Sequence, residues 1–480
     1  MSLLKKVLNN IVYQAIYQLL QIILPIITVP VISNALGPKG LGIYNYTTSI
    51  VNYFVLFAGL GLSNYGVREI AQCRNNKKEL SRKFFELEGM SLLVSILIFA
   101  VYFLCTVFLR YSDYYFIELL LVAGAVLDIS WFYIGIEDFG KVSLSNAIIK
   151  IISFILIITL IHNYSDTKLY VLIQVSSTFL SQTILWIFLK GKINFVRVSI
   201  SSMTKHIAPA AHYFISKIAI SLYTTLNKTL LGILGTVAAV GYYSNAVTLY
   251  SMVVMVMTSV DEALLPRMSR LVGEGNGKKA INLMEKVVHL SLGITIPAMF
   301  GLMITSSKLV DWFFGPKFEI LKILLPIVSP LVVIMPLGIS IARQYLVPKG
   351  NIRGYNYSVI SAGVISIVIN ILTIPKIGVY GAILATFVSE TINTSIRIRE
   401  LLKNTTFKFH YFIIVKYTMI SVIMSLVIFL STFNLASSVY TTLIQIIIGM
   451  CVYAILSVLV KTPLYSIVIR KNIDENIVKM

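Results

Sequence analysis

Fourteen apolar stretches joined by short polar loops account for most of this chain of 480 residues. Each stretch is long enough to cross a hydrocarbon layer about 30 Å thick as a helix. We predict spans at 11–36, 41–65, 88–109, 116–136, 143–162, 168–189 and 207–234 in the first half. In the second half we predict 238–265, 286–306, 320–342, 355–374, 378–396, 410–431 and 439–460. Only 12% of the residues are charged, against about 25% in soluble proteins, so we expect an all-α polytopic membrane protein of about fourteen transmembrane helices.

The basic residues predict the orientation of these spans. With the N-terminus inside, 29 Lys and Arg fall in cytoplasmic segments and six in outer loops, a strong positive-inside bias. An even number of spans then places both termini in the cytoplasm of a multi-pass protein of the cell (inner or plasma) membrane. The first apolar run lacks a small-residue cleavage site, so we interpret it as a retained span. Most of the net charge of +20 therefore serves topology, and we expect no nucleic-acid partner.

The chain also repeats itself. Gly42 and Gly241 follow similar glycine-containing loops, the helices after them end on Arg68 and Arg267, and each pair is 199 residues apart. Six spans separate the copies, so both halves insert the same way up and form a parallel repeat about an axis along the membrane normal. We predict an N-terminal six-helix lobe, a C-terminal six-helix lobe, and a terminal helix pair with a cytoplasmic tail at 1–200, 201–405 and 406–480.

Polar side chains occupy one face of each of the first two spans. The face of span 1 carries Gln14, Gln18, Gln21, Pro25 and Thr28, and that of span 2 carries Asn45, Thr48 and Asn52. Unpaired amides are costly in hydrocarbon, so both faces should point into the bundle. They fit either hydrogen bonds between helices or the wall of a water-filled cavity. The agreement between the two spans favours the cavity.

Span 7 carries a basic stripe. His206, Lys217 and Lys228 are eleven residues apart, which returns a helix to within about 20° of its starting direction. The same stripe also holds Tyr213, Ser221 and Thr224. A lysine at membrane depth costs roughly 2.5–3.5 kcal/mol on insertion scales. Snorkelling to the interface would explain Lys228 better than Lys217. The alternative, which we favour, is a cationic lining for an anionic ligand.

Acidic residues occur at Asp128 in span 4, at Asp261 and Glu262 at the inner end of span 8, and at Glu390 in span 12. Each could pair with a nearby base, for instance Glu262 with Arg267, or could carry a proton or bind a coupling cation. For any single acid, pairing with a base is a better interpretation than a role in coupling.

Signs of enzyme chemistry are few. The glycine-rich segment 273–279 is one residue short of a phosphate loop and follows no strand. The sequence has no paired histidines at metal-ligand spacing and no nucleophile elbow, and the longest outer loop, about 307–319, is too short for a catalytic domain. We therefore predict no enzyme, no catalytic residue, no metal and no cofactor.

Several motifs resemble one transporter family. They are Leu36-Gly37-Pro38-Lys39-Gly40-Leu41-Gly42-Ile43-Tyr44, Tyr65-Gly66-Val67-Arg68-Glu69, Asp128-Ile129-Ser130-Trp131-Phe132-Tyr133, Leu265-Pro266-Arg267 and Gly315-Pro316-Lys317-Phe318. In these residues the chain resembles the Wzx-type polysaccharide flippases (O-antigen and capsular repeat units) of the multidrug/oligosaccharidyl-lipid/polysaccharide exporter superfamily. The resemblance covers spans 1 to 12 in order.

The resemblance implies two lobes around a central cavity lined by spans 1, 2, 7 and 8. It also implies export of a polyprenyl-diphosphate-linked oligosaccharide for surface polysaccharide biosynthesis. Family roles carry over to Arg68, Asp128, Lys228 and Arg267. The chain departs from its relatives at Asn227, where many have an acid before the base, and in span 1, where related lipid flippases can carry arginines in place of glutamines.

Our hypothesis from the sequence is flipping by alternating access. Lys217 and Lys228 would hold the diphosphate, and polar side chains would contact the sugars, namely Gln14, Gln18, Gln21, Asn45 and Asn52. Expected partners are membrane lipid and the polysaccharide polymerase and chain-length machinery. Multidrug or cation efflux on the same scaffold is the alternative, although it predicts an acidic cavity. A membrane-embedded glycan polymerase or ligase would need a large outer loop.

Overall fold

A computed structural model describes the backbone of residues 3–463 and the side chains of 12–214, 221 and 225–463. The described part of the first half contains helices α1 Leu3–Ala58, α2 Leu62–Cys73, α3 Lys77–Thr106, α4 Ser112–Leu127, α5 Ser130–Gly135, α6 Gly140–Leu160, α7 Thr167–Ile187, α8 Ile200–Thr204 and α9 Ile207–Leu234. The second half contains α10 Val237–Gly273, α11 Gly277–Phe313, α12 Leu321–Val328, α13 Leu331–Ile341, α14 Ile352–Ile377, α15 Val379–Asn404, α16 Tyr411–Thr432 and α17 Val439–Leu459.

All fourteen predicted spans correspond to helices. Eleven helical segments of the described chain are long and apolar enough to cross a membrane, and the first, Val12–Cys73, contains two spans. Those two are separated inside α1 at Gly37, whose φ of 65° and ψ of −177° interrupt the helix just before Pro38. Glycine tolerates that φ and proline suits a helix start, so the Gly-Pro pair ends one span and begins the next. The two remaining predicted spans are α9 and α15, and the predicted all-α polytopic fold is confirmed.

Span 2 is interrupted between α1 and α2, where Gly61 has a φ of 74°, and two further predicted spans are broken. Span 4 is interrupted at Asp128, whose extended backbone (φ −76°, ψ 94°) ends α4 before the short helix α5 begins. Span 10 is divided at Pro330 into α12 and α13, and α13 runs into a π turn at Ala342–Leu346. The turn is closed by a hydrogen bond from Val347 N to the carbonyl oxygen of Ala342, five residues earlier. An extended residue causes the interruption of span 4, and a proline lies at that of span 10. The average hydropathy of a span detects neither.

The chain forms two compact units, residues 1–241 and 242–480. The first has an aromatic core in which Phe84 stacks on Trp131 and contacts Phe132 edge-on, all three nearly inaccessible to solvent. The second has a core on α11 and α13, around residues such as Met284 and Ile341. The lobe boundaries after residues 200 and 405 stay predictions.

Repeat-related glycines pack against backbone in the first unit. A Cβ atom at Gly42 would collide with the carbonyl oxygen of Val237, and one at Gly241 would collide with that of Pro38. Pro38 and Val237 are themselves 199 residues apart, as the two glycines are. The two contacts are therefore equivalent under the repeat, which supports the parallel relationship predicted from the sequence.

In the second unit, the terminal pair α16 and α17 packs on α11 through a few directed hydrogen bonds. The Tyr453 hydroxyl donates to the carbonyl oxygen of Gly293 at 2.6 Å, and the Trp312 indole N–H donates to the Thr442 hydroxyl at 2.8 Å. Near the end of α11, Lys308 donates to two carbonyl oxygens of the loop between α16 and α17. These bonds hold the pair at both ends of its contact with α11.

Candidate functional site

The centre of the candidate site is a lysine held by an amide. The Lys228 ammonium on α9 donates to the Asn45 side-chain oxygen on α1 at 3.0 Å. The Asn45 amide nitrogen donates to the Leu41 carbonyl oxygen at 2.9 Å, which orients the amide oxygen towards the lysine. Lys228 is half-buried and forms no ion pair with any described carboxylate. A neutral partner thus positions the lysine without cancelling its charge.

A polar seam keeps α9 in this rotation against α1. The Thr229 hydroxyl is 2.9 Å from the Ser49 hydroxyl and 3.2 Å from the Tyr53 hydroxyl, within hydrogen-bond distance of both. A Cβ atom at Gly232 would collide with the Tyr46 ring, so this glycine permits the close approach of the two helices. The seam explains why Lys228 meets Asn45 instead of extending to the interface.

The polar face predicted on span 2 points in two directions. Asn45 faces α9, whereas the Thr47 and Thr48 hydroxyls donate to one oxygen of Glu118 on α4, at 3.0 and 2.6 Å. Asn52 is exposed. Part of this face therefore joins helices, as one of the two interpretations of the sequence expected.

Sequence reasoning missed Glu118. Its side chain is fully buried, and its second carboxyl oxygen has no hydrogen-bond partner among the described residues. The signal was available, because Glu118 is the one charged residue in the apolar run from 114 to 127.

The three glutamines of span 1 lie on the first segment of α1. Gln14 is exposed, and Gln18 and Gln21 are half-buried. Within the described part of the chain none of the three forms a hydrogen bond. Thr28, on the same face, donates to the carbonyl oxygen of Leu24 in its own helix. The amides thus remain free to bind a ligand, which is what the cavity interpretation of this face requires.

The basic stripe of span 7 is only partly as expected. The Lys217 side chain lies outside the described residues. His206, just before α9, is buried, with Nδ1 2.7 Å from the Tyr65 hydroxyl and Nε2 3.2 Å from a Glu86 oxygen. Burial lowers the pKa of His206 below its usual range, although the hydrogen bond to Glu86 acts in the opposite direction. His206 precedes the first residue of α9, so it does not extend the basic stripe. Its ring packs against α2 and α3 instead.

The two repeat-related arginines are exposed. The Arg68 guanidinium on α2 donates to the hydroxyl of Tyr213, a residue of the span 7 stripe, at 2.8 Å. Arg267 lies on α10 and forms no ion pair or hydrogen bond within the described residues. Both are available to an anion at the predicted cytoplasmic end.

Neighbouring acids on α10 have different partners. Asp261 is buried and accepts hydrogen bonds from Ser340 at 2.9 Å and Gln344 at 2.5 Å. Glu262 is half-exposed and pairs with Arg343 at 2.9 Å. The suggested pairing of Glu262 with Arg267 is wrong, because residues five apart on a helix point about 140° away from each other.

The other two predicted acids are placed separately. Asp128 caps the break after α4, where its carboxylate accepts a hydrogen bond from the backbone N–H of Ser130 at 3.0 Å. Glu390 is buried on α15. The structure therefore brings together Asn45 with Lys228, while the acids lie at other positions.

Residues 7–272 match the sequence model of the family described as "Polysaccharide biosynthesis protein", which is more than half of the chain. The chain belongs to this family. A second model, described as MatE, matches residues 209–375. The resemblance to Wzx-type flippases of the exporter superfamily is confirmed.

Two curated relatives extend this comparison. A protein of Escherichia coli (strain K12) named "Putative O-antigen transporter" is 23% identical over 406 residues, which cover 82% of this chain and 97% of the relative. A protein of Haloferax volcanii named "Probable low-salt glycan biosynthesis flippase Agl15" is 24% identical over 267 residues, 55% of each chain.

Solved structures show the same fold at low identity. The lipid II flippase MurJ in an inward closed conformation superposes with a TM-score of 0.76 at 17% identity, covering 94% of this chain and 98% of that one. An inward-facing multidrug resistance MATE family transporter superposes with a TM-score of 0.62 at 14% identity, covering 83% and 99%. The protein is thus a multi-pass membrane protein with the transporter fold of this superfamily.

Proposed function

We propose that this protein flips polyprenyl-diphosphate-linked oligosaccharide repeat units from the cytoplasmic to the outer leaflet of the cell membrane by alternating access. The observation that carries the proposal is the Lys228 ammonium, held inside a helical unit by the neutral amide of Asn45. Family membership and the names of the two relatives support the same class of substrate. In this proposal the protein is a transporter and performs no bond chemistry.

The choice of a neutral partner for Lys228 favours an anionic ligand. A buried lysine paired with a carboxylate would already be neutralised, and binding an anion would first require that pair to break. An amide orients the ammonium but leaves its full charge for the ligand, and the low local dielectric strengthens the attraction. A diphosphate, with two negative charges, matches such a site.

The other predicted residues complete the proposal. Lys217 would be the second cation at the diphosphate, and the exposed Arg68 and Arg267 would each attract anions to the predicted cytoplasmic end of its own helix. Polar side chains of the first two spans would contact sugar hydroxyls, namely Gln14, Gln18, Gln21, Asn45 and Asn52. The carried lipid tail would stay in the bilayer, and the polymerase and chain-length machinery would receive the exported unit.

The membrane potential can drive transport in this direction. Two negative charges moving outward gain roughly 4–5 kcal/mol per 100 mV of inside-negative potential. Ion coupling would add to this gain, and we propose the four acids Asp128, Asp261, Glu262 and Glu390 for coupling or gating. Unchanged transport after the proton gradient is collapsed at constant potential would argue against a proton-carrying role.

Flipping of defined lipid-linked oligosaccharides in proteoliposomes tests the proposal. Lys228→Gln should lower the flipping rate at least about tenfold, which is about 1.4 kcal/mol of activation free energy, whereas Lys228→Arg should retain much of the rate. Changing Lys217 and Lys228 together to Gln should abolish flipping without loss of expression. Lys150→Gln is the matched control, because Lys150 is also half-buried in a span but lies on α6, which carries none of the hydrogen bonds of the seam.

Asn45→Asp is the most specific variant. It keeps the size of the side chain but gives Lys228 a counter-ion, so the pair should stay intact while flipping fails. Wild-type rates in either Asn45→Asp or the double lysine variant would refute the proposed site.

Multidrug efflux is the second candidate, because the MatE model matches residues 209–375. An unneutralised lysine repels cationic drugs, which disfavours this function. Proteoliposomes that accumulate a cationic dye but flip no glycolipid would reverse the order of the two proposals.

A further inference from the structure

A second site lies in the second unit, between α11 and the terminal pair. Residues of α11, α16 and α17 line an apolar cleft of about 580 Å³ beside the contacts that join these helices. Small residues open it on both sides, including Gly293, Ala298 and Gly301 on α11 and Gly449 on α17. A Cβ atom at Gly301 would meet no atom within 4 Å, so the space beside this glycine is open.

A polar cavity of about 320 Å³ continues the cleft towards the ends of the helices. It contains Lys308, Asp311, Lys322 and Ser437, and Gln445 lines both cavities. On α11 the cleft extends from Gly293 to Thr305, which is about 18 Å of helix, and the polar wall follows at the next turns. That length suits one extended acyl chain, and we call the two neighbouring cavities, which share Gln445 as a wall, the slot.

The side chains that line the polar end of the slot carry a net positive charge. Two lysines and one aspartate line it, and Glu319 lies 3.9 Å from Lys322. The Lys308 ammonium donates to the carbonyl oxygens of Phe433 and Leu435, at 3.3 and 2.6 Å. Lys322 pairs with Asp311 at 2.7 Å, and Ser437 donates to the same carboxylate. Lys308 forms no ion pair within the described residues, since Asp311, one turn along α11, pairs with Lys322 instead, and so Lys308 is the cation available to a ligand.

A buried acceptor marks the boundary between the two ends. Gln445 is 2% exposed, and its side-chain nitrogen donates to the Thr432 hydroxyl at 2.9 Å. Its side-chain oxygen has no partner in the part of the chain that the structure describes, although it borders both cavities. An unpaired acceptor in such a place is costly, so a ligand hydroxyl or a water bound with the ligand should satisfy it.

We infer that this slot binds one acidic glycerophospholipid, with its phosphate at Lys308 and Lys322 and an acyl chain in the cleft. Positive-inside counting places this end of α11 outside, so the lipid would come from the outer leaflet. A zwitterionic headgroup would bring its own cation to the lysines and bind less well. The inference does not depend on the proposed flippase activity, because it concerns a resident lipid and not the transported one.

Native mass spectrometry of the full chain in detergent can test the slot. The probes are phosphatidylglycerol and phosphatidylcholine of matched acyl chains, with a polyprenyl phosphate as competitor. Wild-type protein should retain one phosphatidylglycerol in preference to phosphatidylcholine. Gly301→Leu should fill the cleft and lower retention of both lipids at least about tenfold. Its control is Gly363→Leu on α14, another glycine with no atom within 4 Å of its Cβ position.

The charged end has its own matched pair of variants. Changing Lys308 and Lys322 to Gln should remove the preference for phosphatidylglycerol, about fivefold for each lysine. Lys317→Gln, an exposed lysine of the same loop, should leave it unchanged. Lys308→Arg should keep the preference even if the loop carbonyls are held less well.

Three results would overturn the inference. One is equal retention of the two phospholipids by wild-type protein, and another is unchanged retention in Gly301→Leu. The third is displacement of phosphatidylglycerol by the polyprenyl phosphate at lower concentration, which would assign the slot to the carried lipid. Melting temperatures of all variants without added lipid exclude simple misfolding as the cause of a loss.

Discussion

Alanine at Gly42 should leave the protein less stable than alanine at Gly363. Both glycines lie inside helices, and alanine has the higher helix propensity by up to about 1 kcal/mol, so both variants gain that term. At Gly363 the new methyl group meets no atom within 4 Å. At Gly42 it would collide with the carbonyl oxygen of Val237 and would also approach the backbone nitrogen of Gly241 to 3.2 Å.

The expected difference is the cost of overpacking against backbone, about 1–3 kcal/mol. A side chain could rotate away, but a carbonyl group moves only with its helix. Gly241→Ala should behave similarly, because it meets Pro38 at the equivalent contact. The double variant should cost less than the two singles together, since separating the helices once makes room for both methyl groups.

Equilibrium unfolding of the purified variants by sodium dodecyl sulfate would measure these differences. Gly363→Ala should be as stable as the parent or slightly more so, and Gly42→Ala should lie below it. Equal stability of the two variants would show that the Gly42 contact is absent from the folded protein. Strict additivity of Gly42→Ala and Gly241→Ala would show that the two contacts are independent.

Three further predictions concern buried polar groups, and each is checked by unfolding midpoints. Asp261→Ala should cost roughly 1.5–3 kcal/mol because two donors lose a charged acceptor, whereas Glu262→Ala should cost less than about 1 kcal/mol; equal costs would contradict this. Glu118→Gln keeps an acceptor for both threonines and should be tolerated, but Glu118→Ala should cost about 1–3 kcal/mol. Burial depresses the pKa of His206, so the folded state favours neutral imidazole, and stability should fall as pH drops below about 6.5; His206→Gln should remove that dependence.

The spans could be predicted from the sequence because the bilayer sets a minimum apolar length and loop charges set orientation. The repeat was also visible, and the reciprocal contacts of Gly42 and Gly241 agree with its offset of 199 residues. Helix breaks were harder to predict. The one at Gly37 has a Gly-Pro signature, whereas the one at Asp128 lies within an apolar stretch and depends on a local backbone turn.

Side-chain partners were the least predictable part of the site. Periodicity identifies the face on which a residue lies, but not which helix lies opposite, and so Asn45 and Thr48 could share a face and still bind different neighbours. Glu118 was overlooked although it interrupts an apolar run. Glu262 was given a base near in sequence, whereas its partner Arg343 comes from another helix.

The π turn at Ala342–Leu346 makes the acid pair of α10 depend on the length of α13 as well as on its composition. The turn contains one residue more than an α-helical turn would, and both Arg343 and Gln344 lie within it. Deleting a single residue there would restore a regular helix and rotate the residues after the deletion by about 100°. If Ala342 is the residue removed, Arg343 and Gln344 would then face elsewhere, whereas Ser340, which precedes the turn, would keep its bond to Asp261. A relative that is shorter by one residue in this turn would need other hydrogen-bond and ion-pair partners for the acids equivalent to Asp261 and Glu262, even if all other residues were identical.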